Sequence, residues 1–255
     1  MNVLMSVLIL GGTTEASAIA AGLVNDPVIR PVLSLAGRTR APVLPAVAAR
    51  RGGFGGVDGL ARYLRDEAVD VLVDATHPFA AQMSRHALAA AELSGVRRLA
   101  VVRPAWQAQP GDAWTEAPDM QAAVTALGTQ PRRVFLTVGQ QELTPFAAAP
   151  WHDYLIRSVE PPDPAVLPPR ARCIAARGPF EVAAERRLLE DEMVEVIVTK
   201  NSGGTATVAK LTAARALGLP VIMVARPATA AGPTVADAAE ALAWLRRHAA
   251  TLRGE

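Results

Sequence analysis

Val7–Leu8–Ile9–Leu10–Gly11–Gly12–Thr13–Thr14–Glu15–Ala16 is the stretch that decides the fold of this chain. Its apolar run predicts a buried strand, its glycines a tight turn, and Thr13 or Thr14 the N-cap of a helix. Glycines let the backbone approach a ligand closely, and a helix N-terminus favours phosphate. The dinucleotide fingerprint has glycine at three positions, which correspond here to Gly11, Thr13 and Ala16, so only the first of them holds a glycine. An ordinary strand–turn–helix connection and a phosphate-binding turn therefore both stay open.

The composition is that of a globular protein with a large core. Of the 255 residues, 51% are hydrophobic and 20% charged, which argues against disorder. Only 4% are aromatic and the net charge is +2, so nucleic acid is not an expected partner. The apolar run Val3–Leu10 is too short to span a membrane and follows no basic leader. We therefore expect a cytoplasmic protein that binds neither nucleic acid nor membrane.

Metal, disulfide and hydrolase chemistry find no support in the sequence. The single Cys173 excludes an intrachain disulfide and a zinc site built from several thiolates, and it falls in an apolar strand-like run. The four histidines lack metal-ligand spacing, so no metal is expected. No Gly-x-Ser-x-Gly elbow is present.

Strand-like apolar runs alternate with helical patterns along the whole chain, which predicts parallel sheets with helices on both faces. The pattern is interrupted at Arg103–Pro118, which is rich in Pro, Trp, Gln and Gly, and again at Gly128–Thr129–Gln130–Pro131. The second interruption is interpreted as the linker between domains 1–130 and 131–255. We expect an α/β protein of two doubly wound domains, with a cleft between them and ligands at the carboxyl ends of the strands.

The loop after the second predicted strand, Ala36–Gly37–Arg38–Thr39–Arg40, carries arginines where an NAD-specific site places an acid. A guanidinium suits the 2′-phosphate of NADP(H), although arginines at strand ends are also common on surfaces. Together with the glycine turn one strand earlier, Arg38 and Arg40 favour NADP(H).

Two later strand ends carry His77 and Lys200. The histidine lies in Asp74–Ala75–Thr76–His77–Pro78–Phe79–Ala80 and is interpreted as a proton donor, a carboxylate-binding cation or a residue of the helix cap. The lysine precedes Asn201–Ser202–Gly203–Gly204, a turn that can bind an anion or a substrate edge through backbone N–H groups. A structural salt bridge to a nearby acid is the other interpretation of Lys200.

Taken together, these motifs resemble the precorrin-6A reductase (precorrin-6x reductase) family of cobalamin biosynthesis over essentially the whole chain. The motifs that carry the resemblance are Gly11–Gly12–Thr13–Thr14–Glu15, Ala36–Gly37–Arg38–Thr39, Gly52–Gly53–Phe54–Gly55, Asp74–Ala75–Thr76–His77–Pro78–Phe79–Ala80 and Thr199–Lys200–Asn201–Ser202–Gly203–Gly204. The resemblance implies two Rossmann-like domains with the active site between them. It also implies NADPH-dependent reduction of one carbon–carbon double bond of precorrin-6A, a tetrapyrrole, to give precorrin-6B.

The resemblance further implies roles for individual residues. Residues 1–130 would bind NADP(H), and residues 131–255 would contribute to the substrate and cofactor sites. The predicted cofactor contacts are Gly11, Gly12, Thr13, Thr14 and Glu15 at the pyrophosphate, Gly37, Arg38 and Thr39 at the 2′-phosphate, Thr76, His77 and Pro78 at the nicotinamide, and Ser202, Gly203 and Gly204 closing the site.

Substrate contacts and proton transfer follow from the same resemblance. A polycarboxylate macrocycle suits binding by Arg103, Arg177, Lys200 and Asn201. Lys200 or His77, or water held by either, would supply the proton that accompanies hydride transfer. Transient contact with other enzymes of the cobalamin pathway is a further implied partnership.

Three alternatives remain open from the sequence. One is a reductase of the cobalt-early branch, acting on cobalt-precorrin-6A. Another is a non-catalytic two-domain protein that closes around a ligand. The third, an NADP-dependent reductase of a small carbonyl compound, is disfavoured because neither Tyr63 nor Tyr154 has a lysine four residues later.

Overall fold

The computed structural model describes residues 4–37, 45–229 and 231–253. Within these ranges the chain forms two six-stranded sheets whose paired strands all run parallel. The α/β class with two parallel-sheet domains, expected from the sequence, is thus confirmed. None of the described helices is long and apolar enough to cross a membrane.

The described strands are β1 Met5–Leu10, β2 Ile29–Leu35, β3 Ala48–Arg51, β4 Val71–Asp74, β5 Arg97–Val101, β6 Ala113–Ala117, β7 Arg133–Thr137, β8 Asp153–Ser158, β9 Ala171–Ala175, β10 Val196–Lys200, β11 Pro220–Val224 and β12 Thr234–Val235. The described α-helices are α1 Thr14–Gly22, α2 Gly56–Asp66, α3 Ala81–Ser94, α4 Met120–Leu127, α5 Val182–Asp191, α6 Ala209–Leu217 and α7 Ala238–Arg253.

The first sheet has the order β12-β5-β4-β1-β2-β3, with β1 in its interior. All six residues of β1 are buried because helices cover both faces. Val7 and Ile9 pack with residues of α1 and α7, whereas Leu8 and Leu10 pack with residues of α2 and α3. The carboxyl end of β1 leads directly into the glycine turn.

The second sheet has the order β6-β11-β10-β7-β8-β9. Phe135, Leu155 and Ile197, from three neighbouring strands, pack against residues of α5 and α6. Since β7 and β10 are paired, their carboxyl ends lie side by side. This adjacency brings Lys200 close to the segment that follows β7.

The compact units divide the chain elsewhere than at the predicted linker. One unit is Met1–Arg103 with Pro227–Glu255, and the other is Pro104–Arg226. The difference from domains 1–130 and 131–255 arises because β6 pairs with β11 of the second sheet, whereas β12 pairs with β5 of the first. Both are edge strands, and their short, poorly alternating sequences carry too little apolar pattern to reveal which sheet they join.

Two local expectations also differ from the structure. The interpretation of His77 as a residue of the helix cap requires a helix that begins near Pro78, but α3 begins at Ala81. A separate turn precedes the helix, in which the Ala80 amide donates to the His77 carbonyl at 2.7 Å. Cys173 does lie in a strand, but that strand is the edge strand β9 and the thiol is exposed.

Candidate active-site loops

The glycine turn after β1 is held between the neighbouring strands. The Gly11 amide donates to the Ser34 carbonyl at 2.9 Å, and a Cβ on Gly11 would lie 2.8 Å from Leu33 Cδ1. Gly12 has φ +113° and open space where a Cβ would point. The turn therefore lies tightly against β2 on one side and leaves room on the other, as close approach of a ligand requires.

Thr13 is the N-cap of α1, which settles the choice left open by the sequence. Its Oγ1 accepts from the Ala16 amide at 3.1 Å and donates to the Ala75 carbonyl at 2.7 Å. One hydroxyl thus caps the helix and ties the glycine turn to the loop after β4. Thr14 only donates from its exposed hydroxyl to the Glu15 carboxylate at 3.1 Å.

The first turn of α1 carries an ion pair. Arg103 Nη1 donates to Glu15 Oε2 at 2.7 Å, and both side chains are largely buried. Burial by itself raises the pKa of Glu15, but hydrogen bonds from Arg103 and the backbone, with the arginine charge, outweigh it and lower this pKa. Arg103, predicted to bind substrate, thus has a carboxylate partner beside the glycine turn.

The ends of β2 and β3 meet at a pair of glycines. Gly37 has φ +78°, and a Cβ built on it would lie 3.8 Å from the Gly52 amide nitrogen. The Gly52 amide itself donates to the Leu35 carbonyl at 2.9 Å. Arg38, Thr39 and Arg40 lie outside the described residues.

The loop after β4 is organised by a buried carboxylate that no site prediction included. Asp74 Oδ1 accepts from the Thr76 hydroxyl at 2.7 Å and its amide at 3.3 Å, while Oδ2 accepts from Arg98 Nη2 at 2.7 Å. Arg98 Nη1 donates to the Ala231 carbonyl at 3.1 Å. This network holds Thr76, one of the predicted nicotinamide contacts, at a fixed position.

His77 follows in the same loop. Its Nδ1 accepts a hydrogen bond from the Phe79 amide at 3.2 Å, which assigns the ring proton of a neutral His77 to Nε2. Pro78 lies in the turn between this histidine and α3. The imidazole thus has a fixed orientation in which Nε2 is a donor.

In the second unit, Lys200 at the end of β10 is paired with Glu142. Its Nζ donates to the two carboxylate oxygens at 2.9 Å and 2.7 Å. Glu142 Oε2 also accepts from the Gly139 amide at 2.6 Å, just beyond β7. The salt bridge that the sequence left open is therefore present, and Glu142 is a residue that sequence reasoning missed.

The turn after Lys200 is packed against a segment that contains Trp106. Asn201 Oδ1 accepts from the Trp106 amide at 2.8 Å, and its Nδ2 donates to the Trp106 carbonyl at 3.0 Å. Trp106 Nε1 donates to the Gly204 carbonyl at 2.9 Å. Gly203 has φ +65°, and a Cβ there would lie 2.1 Å from the Pro104 carbonyl oxygen. The Asn201 amide thus holds the turn in place, and its predicted substrate contact stays a prediction.

Basic side chains bond to backbone carbonyls at the start of this turn and just beyond it. Arg226 Nε donates to the Asn201 carbonyl at 2.6 Å, and the buried Lys210 donates from Nζ to the Thr207 carbonyl at 2.8 Å. The Lys210 ammonium lies 4.9 Å from the centre of the Trp106 ring. Ser202 is buried, with its amide donating to the Lys200 carbonyl at 2.7 Å.

Arg177 differs from the other predicted substrate ligands. It is exposed, beyond the end of β9, and forms no ion pair with any described residue. In the first unit, Thr13 bonds to the loop after β4 and Arg103 bonds to Glu15. In the second, Lys200 bonds to Glu142 and Asn201 to Trp106. Arg177 is outside both groups of hydrogen bonds.

Comparison with known proteins identifies the family. A family model described as precorrin-6x reductase CbiJ/CobK matches residues 6–246. The chain belongs to the precorrin-6x reductase family. The precorrin-6A reductase of Rhodobacter capsulatus is 51% identical over 247 residues, covering 97% of this chain and 98% of that protein. A solved structure named CobK precorrin-6A reductase is 49% identical, covers 96% of this chain and 97% of its own, and superposes with a TM-score of 0.90.

Family membership confirms the resemblance that the motifs indicated. As a precorrin-6x reductase the chain is an oxidoreductase of cobalamin biosynthesis with a small tetrapyrrole substrate. A reductase with this Rossmann-like sheet uses a nicotinamide cofactor. The first unit fits such a dinucleotide, because open space at Gly12 adjoins the N-terminus of α1, where backbone N–H groups lack intrahelical partners.

Proposed function

We propose that this precorrin-6x reductase uses NADPH to reduce one carbon–carbon double bond of precorrin-6A, giving precorrin-6B. The observation that carries the proposal is the near full-length match to the precorrin-6A reductase of Rhodobacter capsulatus, at 51% identity. The strand-end loops of the structure support it, since Gly12 leaves open space beside the N-terminus of α1, and Asp74 and Glu142 hold Thr76 and Lys200 in place.

The glycine turn of Gly11–Thr14 would hold the pyrophosphate of the cofactor. A carboxylate in the first turn of α1 repels phosphate, and Arg103 offsets that charge by its 2.7 Å ion pair with Glu15. We assign Gly37, Arg38 and Thr39 to the 2′-phosphate, as the sequence predicted. When bound, NADPH supplies the hydride, and the protein's task is to orient the reacting carbon.

The loop after β4 would border the nicotinamide. Asp74 fixes Thr76, and the Phe79 amide fixes the His77 ring so that Nε2 presents a proton. A neutral His77 held in this way would donate a hydrogen bond from Nε2 to the substrate or to a bound water, whereas transfer of a proton would require the imidazolium, whose Nδ1 no longer accepts from the Phe79 amide. Pro78 limits the backbone freedom of this turn.

Lys200 and its turn would act on the tetrapyrrole. Glu142 holds the ammonium by two hydrogen bonds, which fixes its position at the end of β10 and offsets its charge. Held there, the ammonium would donate a hydrogen bond to the reacting ring or the proton that completes the reduction. Asn201, Ser202, Gly203 and Gly204 keep the turn in shape, and Arg103 and Arg177 would bind substrate carboxylates.

The test is a reduction assay with the purified protein. Precorrin-6A and NADPH are mixed without oxygen, and the loss of NADPH absorbance is followed together with the macrocycle spectrum. We expect one NADPH consumed per macrocycle, and much slower turnover with NADH. Oxidation of NADPH only with cobalt-precorrin-6A would indicate the cobalt-early branch, and binding without oxidation would indicate a non-catalytic protein.

A further inference from the structure

Arg50, on β3 of the first unit, is a positively charged residue that no motif assigned to a site. Its register partner is Ser34 on β2. Arg50 Nη1 donates to Ser34 Oγ at 2.9 Å and to the Gly52 carbonyl at 3.0 Å, and Nη2 donates to the Gly53 carbonyl at 3.1 Å. The side chain is therefore held in one orientation at the carboxyl end of its strand.

The charge of Arg50 is not neutralised by its neighbours. Its hydrogen-bond acceptors are one hydroxyl and two carbonyls, and no carboxylate of the described residues forms a salt bridge with it. The guanidinium carbon lies 3.8 Å from the centre of the Phe54 ring and 5.2 Å from that of Tyr63. Three of its five donors are engaged, so two remain for an anion.

The location of Arg50 relates it to the proposed cofactor site. The Ser34 hydroxyl accepts a hydrogen bond from Arg50, and the Ser34 carbonyl accepts one from the Gly11 amide in the glycine turn. In dinucleotide-binding sheets the pyrophosphate binds at the turn after the first strand, and the ribose of the adenosine lies beyond the end of the second strand. Arg50 is on the strand next to that second strand, near Gly37 and Gly52.

We propose that Arg50 is a specificity-determining residue that binds the 2′-phosphate of NADPH. This inference rests on the proposed binding of NADPH at the glycine turn. Because Ser34, Gly52 and Gly53 already hold the guanidinium in position, binding a phosphate costs little side-chain entropy. The competing explanation is that Arg50 only stabilises the turn between β3 and α2.

The experiment measures cofactor binding by calorimetry, with no substrate present. Titrations of NADP+, NAD+, 2′,5′-ADP and 5′-AMP are compared for the wild-type protein, Arg50→Met, Arg50→Lys and a control, Arg30→Met. Arg30 is an exposed arginine at the amino end of β2, so its replacement changes the net charge equally. Thermal unfolding of each variant reports on its fold.

We expect Arg50→Met to weaken NADP+ and 2′,5′-ADP about tenfold to a hundredfold, while NAD+ and 5′-AMP change by less than about twofold. Arg50→Lys recovers part of the loss, because it restores the charge without the planar fork. Arg30→Met leaves all four affinities unchanged.

Other outcomes separate the two proposals. If Arg50→Met keeps the wild-type preference for NADP+, or weakens all four ligands equally, Arg50 is only structural while the NADPH proposal stands. A wild-type protein that binds NAD+ as tightly as NADP+ overturns both. If Arg50→Met does not fold, unchanged NADP+ affinity in a folded Arg50→Lys variant contradicts the assignment.

Discussion

The strand-end loops of the two units are built in different ways. In the first unit, the glycine turn and the loop after β4 combine local contacts, Thr13 with Ala16 and Asp74 with Thr76, with distant ones such as the hydrogen bond from Thr13 to the Ala75 carbonyl. In the second unit, Lys200 contacts Glu142 across 58 positions and Asn201 contacts Trp106 across 95. The first edge therefore has a local component, in its helix cap and its Asp74–Thr76 contact, whereas the side-chain contacts of Lys200 and Asn201 are with residues distant in sequence.

The largest expected effect concerns the charged pair of the second unit. Replacing Lys200 by Met removes the ammonium donor, and we expect the rate of precorrin-6A reduction to fall about a hundredfold to ten-thousandfold, the usual range for a proton donor. Single-turnover kinetics with bound NADPH measure the change. NADP+ affinity should stay the same, and near-normal turnover would remove Lys200 from this role.

The buried cation of the second unit makes its stability depend on pH. Burial lowers the pKa of Lys210 from 10.5 to about 7; the charge of Arg157 adds to this and that of Glu185 opposes it. Between pH 7 and pH 10.5 the Lys210 amine is protonated in the unfolded chain and neutral in the folded one. The free energy of unfolding therefore rises with pH by up to about 1.4 kcal/mol per pH unit.

Urea unfolding of wild type and Lys210→Met at a series of pH values from 7 to 10 checks this expectation. The difference between the two proteins cancels the contribution of every other titrating group. We expect the wild type to gain stability relative to the variant as the pH rises through this window. Parallel pH profiles would show that Lys210 has an ordinary pKa.

A pair of glycines tests whether distant packing fixes the Lys200 turn. Gly203 and Gly218 both have φ +65°, but a Cβ on Gly203 would lie 2.1 Å from the Pro104 carbonyl whereas one on Gly218 meets nothing within 4 Å. We expect Gly218→Ala to cost about 1–2 kcal/mol of unfolding free energy, and Gly203→Ala about 2–5 kcal/mol because a steric clash is added. Equal losses would mean that the turn shifts freely away from Pro104.

The smallest effect is expected at the glycine turn of the first unit. Thr13→Ala removes the N-cap of α1 and should cost about 0.5–2 kcal/mol, measured by urea unfolding. Thr14→Ala is the matched control, because the exposed Thr14 hydroxyl donates to the Glu15 carboxylate and caps no backbone N–H. A comparable loss in both variants would contradict the assignment of the cap.

This contrast explains how far the sequence could be interpreted. The strand–turn–helix of Met5–Gly22, the parallel α/β class and a cap at Thr13 or Thr14 follow from patterns within a few residues, and the structure confirms them, with Thr13 as the cap. Glu142 and Trp106 carry no local signal, since their partners Lys200 and Asn201 lie 58 and 95 positions away in the sequence. Arg38 and Thr39 lie outside the described residues, and their assignment to a 2′-phosphate stays a prediction.

The predicted boundary between the domains differs from the boundaries of the compact units for a related physical reason. Gly128–Pro131 has the composition of a linker, yet it joins α4 to β7 within one unit. Which sheet a short edge strand joins depends on backbone pairing that its side chains barely encode. The pairings of β6 and β12 could therefore not be inferred from apolar periodicity.

The place of β12 and α7 in the first sheet has a consequence for synthesis of the chain. The unit that begins at the N-terminus stays incomplete until residues 234–253 emerge from the ribosome, because those residues supply an edge strand and a helix whose Ala241 and Leu245 complete its core. The second unit is continuous from Pro104 to Arg226 and is fully emerged earlier. We therefore expect the second unit to complete its fold first during translation, opposite to the N-terminal-first order usual for multidomain proteins.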